Sequence, residues 1–165
     1  MAHDWPNQPV ESSIMRVREE WLDYNGHLNM AYYNVLFDMA CDEVFDRCGL
    51  GASYVKARNA SYFTAEVHVC YLRELEAGMP VVSRLQMIDL DEKRMRFYQE
   101  LCHAEEGWLA ATSEQLSVHV DLAARKSAPW PMDILAELTA LLTAHKHLDI
   151  PPRAGKSIAI HRKSQ

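Results

Sequence analysis

Trp21-Leu-Asp-Tyr-Asn-Gly-His-Leu-Asn-Met-Ala-Tyr-Tyr33 joins a tight turn to the start of a helix. In its first half, Asp23, Asn25 and Gly26 favour a turn, because Asp and Asn side chains bond nearby backbone groups and Gly accepts positive φ. From Asn29 onward the apolar residues recur at helical spacing. A helix N-terminus presents free N–H groups and a partial positive charge. The carboxylate of Asp23 can therefore attack a carbonyl, or direct a water to it, while the N–H groups receive the charge that develops on the oxygen.

A long helix is predicted over residues 29–48. Asn29 is suited to cap its N-terminus, and Gly49 and Gly51 are suited to end it. Its apolar residues recur at spacings of three and four, as in a helix with one buried face. The stripe consists of Tyr33, Phe37, Ala40, Val44 and Cys48, and it is widened by Leu36, Met39 and Phe45. A stripe of this width predicts burial against a sheet.

Strands with a two-residue period follow this helix. From residue 61 onward, apolar and polar side chains alternate, so that Glu66 and His68 share one side of a strand. Runs 80–88, 94–103 and 109–121 are joined by short turns and predict an antiparallel meander. A shorter strand is predicted over residues 14–18. One long helix and several antiparallel strands favour an α+β fold with the sheet wrapped over the helix.

A second helix is predicted at the C-terminal end, over about residues 132–145. Pro131 suits its first turn. Its apolar face consists of Ile134, Leu135, Leu138, Leu141 and Leu142. Pro151-Pro152 ends any regular structure nearby. Residues 1–12 are expected to be loose at their start, and the basic tail 154–165 is expected to be mobile.

Length and composition restrict the class of protein. A chain of 165 residues predicts one domain over residues 1–165, with a core at about 14–128 and a C-terminal helix and tail at 129–165. The net charge of −6 argues against a nucleic-acid partner. The sequence has no signal peptide and no run of membrane-spanning length, so we expect a cytoplasmic protein with no membrane partner. Its four cysteines form no C-x-x-C pair and are expected to be buried reduced thiols.

The pattern Asp-x-x-Gly-His-x-Asn, formed by Asp23, Gly26, His27 and Asn29 and followed by Tyr32-Tyr33, identifies a family resemblance. It resembles the hotdog-fold acyl-CoA thioesterases of the 4-hydroxybenzoyl-CoA type, over about residues 14–128. Two further runs are similar to the betainyl-CoA thioesterases of carnitine breakdown: Glu66-Val-His-Val-Cys-Tyr-Leu-Arg-Glu-Leu75 and His119-Val-Asp-Leu-Ala-Ala-Arg-Lys-Ser-Ala-Pro129. The resemblance implies an antiparallel sheet around a long central helix, with an additional C-terminal helix.

The resemblance also implies catalytic roles. Asp23 is the nucleophile that attacks the thioester carbonyl, or the base that activates a water. The backbone N–H seven residues later, that of Met30, belongs to the oxyanion site. Gly26 permits the turn, and His27 either orients the substrate or caps the loop. For Asn29, capping the helix is a sufficient explanation.

Substrate-binding candidates lie on the strands and among the aromatic residues. Glu66 and His68 match the resemblance in a strand near the active cleft, where Glu66 can hold a water or face a cationic acyl group; a solvated strand face is the alternative. A trimethylammonium group needs an aromatic or carboxylate lining. Candidates for that lining are Trp21, Tyr24 and Tyr33, together with Tyr32 and Tyr62; a role in the core or an interface is the alternative.

No metal or separate cofactor is expected, because a carboxylate and water suffice and coenzyme A is part of the substrate. His145-x-His147 and the other histidines, His103, His119 and His161, have no Cys or carboxylate partner at ligand spacing. Arg94, Arg96, Arg125 and Lys126 are candidates for coenzyme A phosphates or for plain surface charge.

Members of this fold form dimers with the active site where two chains meet, so the resemblance implies a homodimer or a tetramer. Asp23 and Glu66 are then expected to face one cleft from different chains. The predicted activity is hydrolysis of a small acyl-CoA to the free acid and coenzyme A. Two alternatives stay open: an acyl-CoA dehydratase or hydratase of the same fold, in which His27 pairs with Glu66, and a non-catalytic acyl-CoA-binding module.

Overall fold

A computed structural model describes residues 3–160. It contains seven strands in one antiparallel sheet, with the path β1-β4-β5-β6-β3 and with β2 paired to β4 and β7 paired to β6. The strands are β1 Val10–Glu11, β2 Met15–Arg16, β3 Ala60–Tyr71, β4 Pro80–Leu90, β5 Arg94–His103, β6 Leu109–Asp121 and β7 Lys126–Ser127. The helices are α1 Met30–Arg47, α2 Ala52–Arg58 and α3 Met132–His145. The predicted α+β arrangement, a sheet around a long helix, is confirmed.

The predicted meander is β4, β5 and β6. Strands β5 and β6 and helix α3 have the bounds that the sequence pattern predicts. Strand β4 runs two residues further than predicted, to Leu90, and contains a bulge between Met87 and Asp89. Strand β3 pairs with β6 rather than with β4, its neighbour in the sequence, and therefore lies at the edge of the sheet.

Helix α1 lies against one face of the sheet, here called the inner face. Its predicted stripe is buried except for Met39, which is 40% exposed. A buried amide joins the two layers, because Gln99 Nε2 on β5 donates to the carbonyl of Phe37 at 3.0 Å and to Ser83 Oγ at 3.2 Å. Gly49 ends the helix with a φ of +81°, as predicted.

The opposite face is called the outer face. Tyr62 and Tyr71 on β3 bond α1 residues Asp42 and Met30, so their side of β3 is the inner face. Tyr62 and Tyr71 share this face because a bulge between Thr64 and Glu66 shifts the register of β3 by one residue. Beyond the bulge the side chains alternate, so those at positions 66, 68 and 70 point to the side opposite Tyr71. Glu66, His68 and Cys70 therefore share the outer face.

Both ends of the described chain contact the rest of the fold. In the N-terminal segment, Trp5 is 6% exposed in the core and β1 pairs with β4. The prediction of a mobile C-terminal tail is wrong at Gly155, whose N–H donates to Glu114 on β6 at 2.6 Å. His161 and the other residues of the 161–165 segment lie outside the described residues. In the part of the chain that the structure describes, no helix is long and apolar enough to cross a membrane.

Two other elements carry too little periodicity to be predicted. Helix α2 has seven residues and buries only Tyr54. Strand β7 has two residues, both exposed. The four cysteines are free, as expected, and all but the half-buried Cys70 are buried.

Candidate active site

The Asp23 loop is a compact turn closed by backbone hydrogen bonds. Leu22 and Leu28 form a bridge at its base, and the Asp23 N–H donates to the carbonyl of His27 at 2.9 Å. The Gly26 N–H donates to the Asp23 carbonyl at 3.0 Å, and Gly26 has a φ of +80°. A left-handed φ favours Gly, so the predicted role of Gly26 in the turn is confirmed.

The carboxylate of Asp23 is half-buried at this turn. Its Oδ1 accepts from the Asn25 N–H at 2.8 Å, and its Oδ2 lies 3.5 Å from Asn25 Nδ2. These contacts leave acceptor capacity on both oxygens, since an ionised carboxylate has about four acceptor positions. The turn therefore orients the carboxylate without occupying it.

The loop is tied directly to the first turn of α1. The Asn29 N–H donates to the carbonyl of Trp21 at 3.0 Å. Asn29 is the predicted cap: its Oδ1 accepts from the Ala31 N–H at 3.0 Å, and its carbonyl accepts from the Tyr32 N–H at 2.9 Å. The N–H of Met30 makes no hydrogen bond to any residue within 3–160. The cap thus leaves one backbone donor of the first turn free, at the position that the family resemblance implies.

Tyr71 is a residue of the site that sequence reasoning missed. Its hydroxyl donates to the carbonyl of Met30 at 3.2 Å, and its ring meets that of Tyr33 edge-on at 5.1 Å. Burial raises the pKa of Tyr71, so the phenol stays protonated as a donor at neutral pH. Tyr71 reads in the sequence only as an apolar strand position, because its partner lies 41 residues away.

His27 faces a carboxylate that the sequence analysis did not select. Its Nε2 lies 3.3 Å from Glu74 Oε2, and the neighbouring Leu28 N–H donates to the Leu75 carbonyl at 2.7 Å. These contacts attach the Asp23 loop to the segment after β3. The contact agrees with a role of His27 in the loop, and its role in orienting the substrate stays a prediction.

The aromatic candidates for substrate binding differ in how far they are buried. Trp21 is 7% exposed and stacks on Tyr32 at 5.5 Å, and Tyr33 is 4% exposed. Both Trp21 and Tyr33 belong to the hydrophobic core beneath the helix start, which is the alternative reading of these residues. Tyr24 is 98% exposed at the tip of the loop.

Glu66 and His68 lie away from the helix start within one chain. They are on the outer face, whereas Met30 contacts β3 on its inner face. The chain therefore does not bring them to Asp23, and the His27–Glu66 pair that a dehydratase reading requires is not formed within it. The two-residue period places both residues on one side of β3, but it does not indicate which side faces the helix.

The buried histidines have structural partners. His119 Nε2 lies 2.7 Å from Tyr54 Oη and its Nδ1 lies 2.9 Å from the carbonyl of Ala128. His145 Nδ1 accepts from the Met87 N–H at 2.9 Å, and its Nε2 donates to the Gln8 carbonyl at 3.1 Å.

One group of three side chains within 3–160 is compact enough to approach a metal ion. Ligand atoms of Asp38, Cys41 and Asp42 lie within 4.8 Å of one another. Burial raises the pKa of the Cys41 thiol to about 12, so it stays protonated, and Tyr62 donates to Asp42. A metal ion at this group would have to displace the thiol proton and compete with Tyr62 for Asp42.

Residues 17–138 match the family model described as the thioesterase-like superfamily. The chain belongs to this superfamily. The hotdog fold is confirmed by solved structures. A hypothetical protein from Staphylococcus aureus in complex with CoA has a TM-score of 0.87 and 26% identity, covering 97% of this chain and 100% of its own. A candidate thioesterase from Pseudomonas putida has a TM-score of 0.80 and 34% identity, covering 93% and 98%.

Two relatives within the thioesterase-like superfamily carry more specific names. A betainyl-CoA thioesterase from Pseudomonas aeruginosa is 37% identical over 144 residues, covering 87% of this chain and 91% of its own. An L-carnitine dehydrogenase/betainyl-CoA thioesterase from Rhizobium meliloti is 36% identical over 154 residues. That match covers 93% of this chain and 31% of the relative, so the chain spans about a third of the length of that protein.

Proposed function

We propose that this chain hydrolyses an acyl-CoA thioester to the free acid and coenzyme A. The observation that carries the proposal is the free Met30 N–H at the N-terminus of α1, joined to the Asp23 loop through the Asn29–Trp21 hydrogen bond. A donor at a helix N-terminus suits the negative oxygen of a tetrahedral intermediate. The carboxylate and the donor are thus held by one hydrogen-bonded unit.

The reaction divides between these two groups. Asp23 attacks the thioester carbon, or it takes a proton from the water that attacks. The carbonyl oxygen gains negative charge and accepts from the Met30 N–H. Collapse of the intermediate breaks the carbon–sulfur bond, and the thiolate leaves and is protonated. If Asp23 attacked, this step leaves a mixed anhydride of Asp23 and the acyl group, which water then cleaves to the free acid and the Asp23 carboxylate. If water attacked, the collapse gives the free acid directly.

We infer that the acyl group is small and cationic, of the betainyl kind. The support is the pair of relatives named for betainyl-CoA, at 37% and 36% identity. Tert-butylacetyl-CoA is the matched comparison, since a neutral carbon replaces the quaternary nitrogen at nearly the same volume. Thiol release from betainyl-CoA should exceed that from tert-butylacetyl-CoA, whereas equal rates would reject the cationic substrate and leave thioester hydrolysis intact.

The catalytic assignment is tested by Asp23→Asn in a thiol-release assay over short, aromatic and betainyl coenzyme A esters. The variant is nearly isosteric, so we expect hydrolysis to fall by orders of magnitude while the circular dichroism spectrum is unchanged. Asp4→Asn, the same change at an exposed aspartate of the N-terminal segment beside α3, is the control. Wild-type turnover in Asp23→Asn would contradict the role of Asp23. Hydration of crotonyl-CoA without thiol release would favour the dehydratase alternative.

We also infer that the chain forms a homodimer through the edge strand β3. Three apolar side chains of β3 are exposed, namely Phe63 at 52%, Val67 at 42% and Tyr71 at 44%. A long apolar edge strand left unpaired is a site of association. Light scattering should give twice the monomer mass, and Val67→Lys should reduce it to the monomer mass because a buried edge charge opposes pairing.

A further inference from the structure

The segment after α3, residues 149–160, is here called the C-terminal arm. It crosses the outer face along a row of residues that are paired across neighbouring strands. In that row Gln86 on β4 pairs with Tyr98 on β5, Tyr98 with Glu114 on β6, and Glu114 with His68 on β3. The row thus leads from β4 to the edge strand β3.

The arm contacts this row in order. Gln86 Nε2 donates to the carbonyl of Asp149 at 3.1 Å, and Glu114 Oε2 accepts from the Gly155 N–H at 2.6 Å. Between these contacts, Tyr98 is 3% exposed although it points to the outer face. The arm therefore travels from β4 towards β3 and covers the sheet as it goes.

Glu114 holds the arm in place. Its side chain is 14% exposed, and its Oε1 accepts from Arg96 Nε at 2.6 Å and from another guanidinium nitrogen at 2.5 Å. This leaves Oε2 for the arm. Gly155 has a φ of +69°, and a Cβ at that position would lie 3.4 Å from the Arg96 guanidinium. The contact is thus fitted to a glycine.

Beyond Gly155 the arm reaches the edge strand. Lys156 and Ser157 line a cleft of about 460 Å³ with Glu66 and His68 of β3. Lys156 and Glu66 thus line the same cleft. Because β3 ends the path of strands within residues 3–160, the residues after Ser157 reach the edge of the sheet.

Two apolar residues follow at this position. Ile158 is 91% exposed and Ile160 is 87% exposed. They alternate with Ala159, so an extended segment turns both isoleucines to the same side. Large apolar side chains on one side of a segment favour burial against a second surface.

We propose that residues 158–160 dock on the outer face of β3 in a second copy of this chain. The inference rests on the proposed dimer through β3. A two-fold axis perpendicular to the sheet keeps both outer faces on one side, so an arm that passes over one β3 arrives on the β3 of the other copy. The two arms then cross the β3–β3 interface in opposite directions, and Ile158 and Ile160 of each copy are buried on the other copy.

The test replaces Ile158 with the photo-cross-linker p-benzoylphenylalanine in the full chain. We expect a covalent dimer on a denaturing gel, with mass spectrometry joining the arm to a peptide from residues 60–71. The same replacement at Met132, which is 89% exposed on α3, should give no covalent dimer. Light scattering on the same sample measures the dimer independently.

Two other outcomes would overturn part or all of the proposal. A dimer by light scattering whose cross-links stay within one chain, or are absent, overturns the arm exchange and leaves the dimer standing. A monomer by light scattering overturns the dimer and the exchange together. Thiol-release activity is a separate readout, and neither outcome alters its interpretation.

A second variant pair tests the anchoring role of Glu114. Glu114→Ala removes the acceptor for Gly155, whereas Glu114→Gln keeps an acceptor of the same size. Loss of a charge-assisted hydrogen bond should lower the cross-linked fraction about tenfold in the alanine variant. The glutamine variant should lie between it and the wild type. Equal cross-linking in all three proteins would overturn the anchoring role.

Discussion

The hydroxyl of Tyr71 donates a hydrogen bond to the carbonyl of Met30, 3.2 Å away. The contact joins the edge strand β3 to the first residue of α1, the residue whose own N–H is free. The edge strand therefore helps to hold the helix start that we propose as the oxyanion site.

Tyr71→Phe should lower kcat for thiol release about fivefold, because one net hydrogen bond contributes roughly 1 kcal/mol. The ring remains, so the edge contact with Tyr33 is retained. The measurement is a steady-state thiol assay beside a urea unfolding curve. An unchanged kcat with lowered stability would assign Tyr71 to the fold alone.

Met30→Pro tests the backbone donor without removing the helix. Proline is tolerated at the first helical position, and Asn29 has a φ of −61° and a ψ of 140°, which a following proline accepts. The variant deletes the N–H and replaces a side chain that is 66% exposed, so kcat should fall by about 10²–10³, the loss seen when an oxyanion donor is removed.

Met132→Pro is the matched control for that variant. Met132 is also an exposed methionine at the first position of a helix, after Pro131 with a ψ of 148°. It lies in α3, so its variant should keep full thiol release. Met30→Ala keeps the N–H, and a loss in Met30→Ala as large as in Met30→Pro would contradict the backbone role.

Gln99→Met should destabilise the protein by about 2 kcal/mol, because it leaves buried polar groups without partners. Gln99 is fully buried and donates to Phe37 and Ser83, and its Oε1 accepts from Gln115 Nε2 at 3.1 Å. The check is the free energy of unfolding in urea. A change smaller than the fitting error would show that the amide does not hold α1 to the sheet.

His145 predicts a loss of stability in mild acid. Burial lowers the pKa of His145, and its neutral ring accepts from Met87 and donates to Gln8. In the unfolded chain the pKa is about 6.5. As the pH falls below that value, the unfolded chain binds the proton first, so the free energy of unfolding decreases until the lowered pKa is reached.

The comparison for this effect is His145→Gln, measured by urea unfolding between about pH 8 and pH 5. The glutamine can accept from Met87 but does not titrate. The variant should be less stable than the wild type at the upper pH, and the difference should shrink towards the lower one. A constant difference across the range would contradict the role of His145.

Local pattern and turn chemistry were sufficient for much of the fold. Helix α3 and strands β5 and β6 have their predicted bounds, because each contains enough residues to show a period of 3.6 or 2. The start of α1 was also predictable, because Asn29 caps the helix and Gly26 forms the turn through contacts with residues nearby in the sequence. The Asp23 loop and the capped helix start were therefore predictable from one short stretch, whereas the choice of the Met30 N–H came from the family resemblance.

Tertiary structure alone decided the features that join distant parts of the chain. Strand β3 pairs with β6 across some fifty residues, and this choice makes β3 an edge and sends Glu66 to the face opposite the helix. Tyr71 meets Met30, and Glu114 holds Gly155, only because the sheet brings them together. The periodicity of a sequence indicates which positions are buried. It does not indicate which residues those positions contact, because the contacts depend on the path of the whole chain.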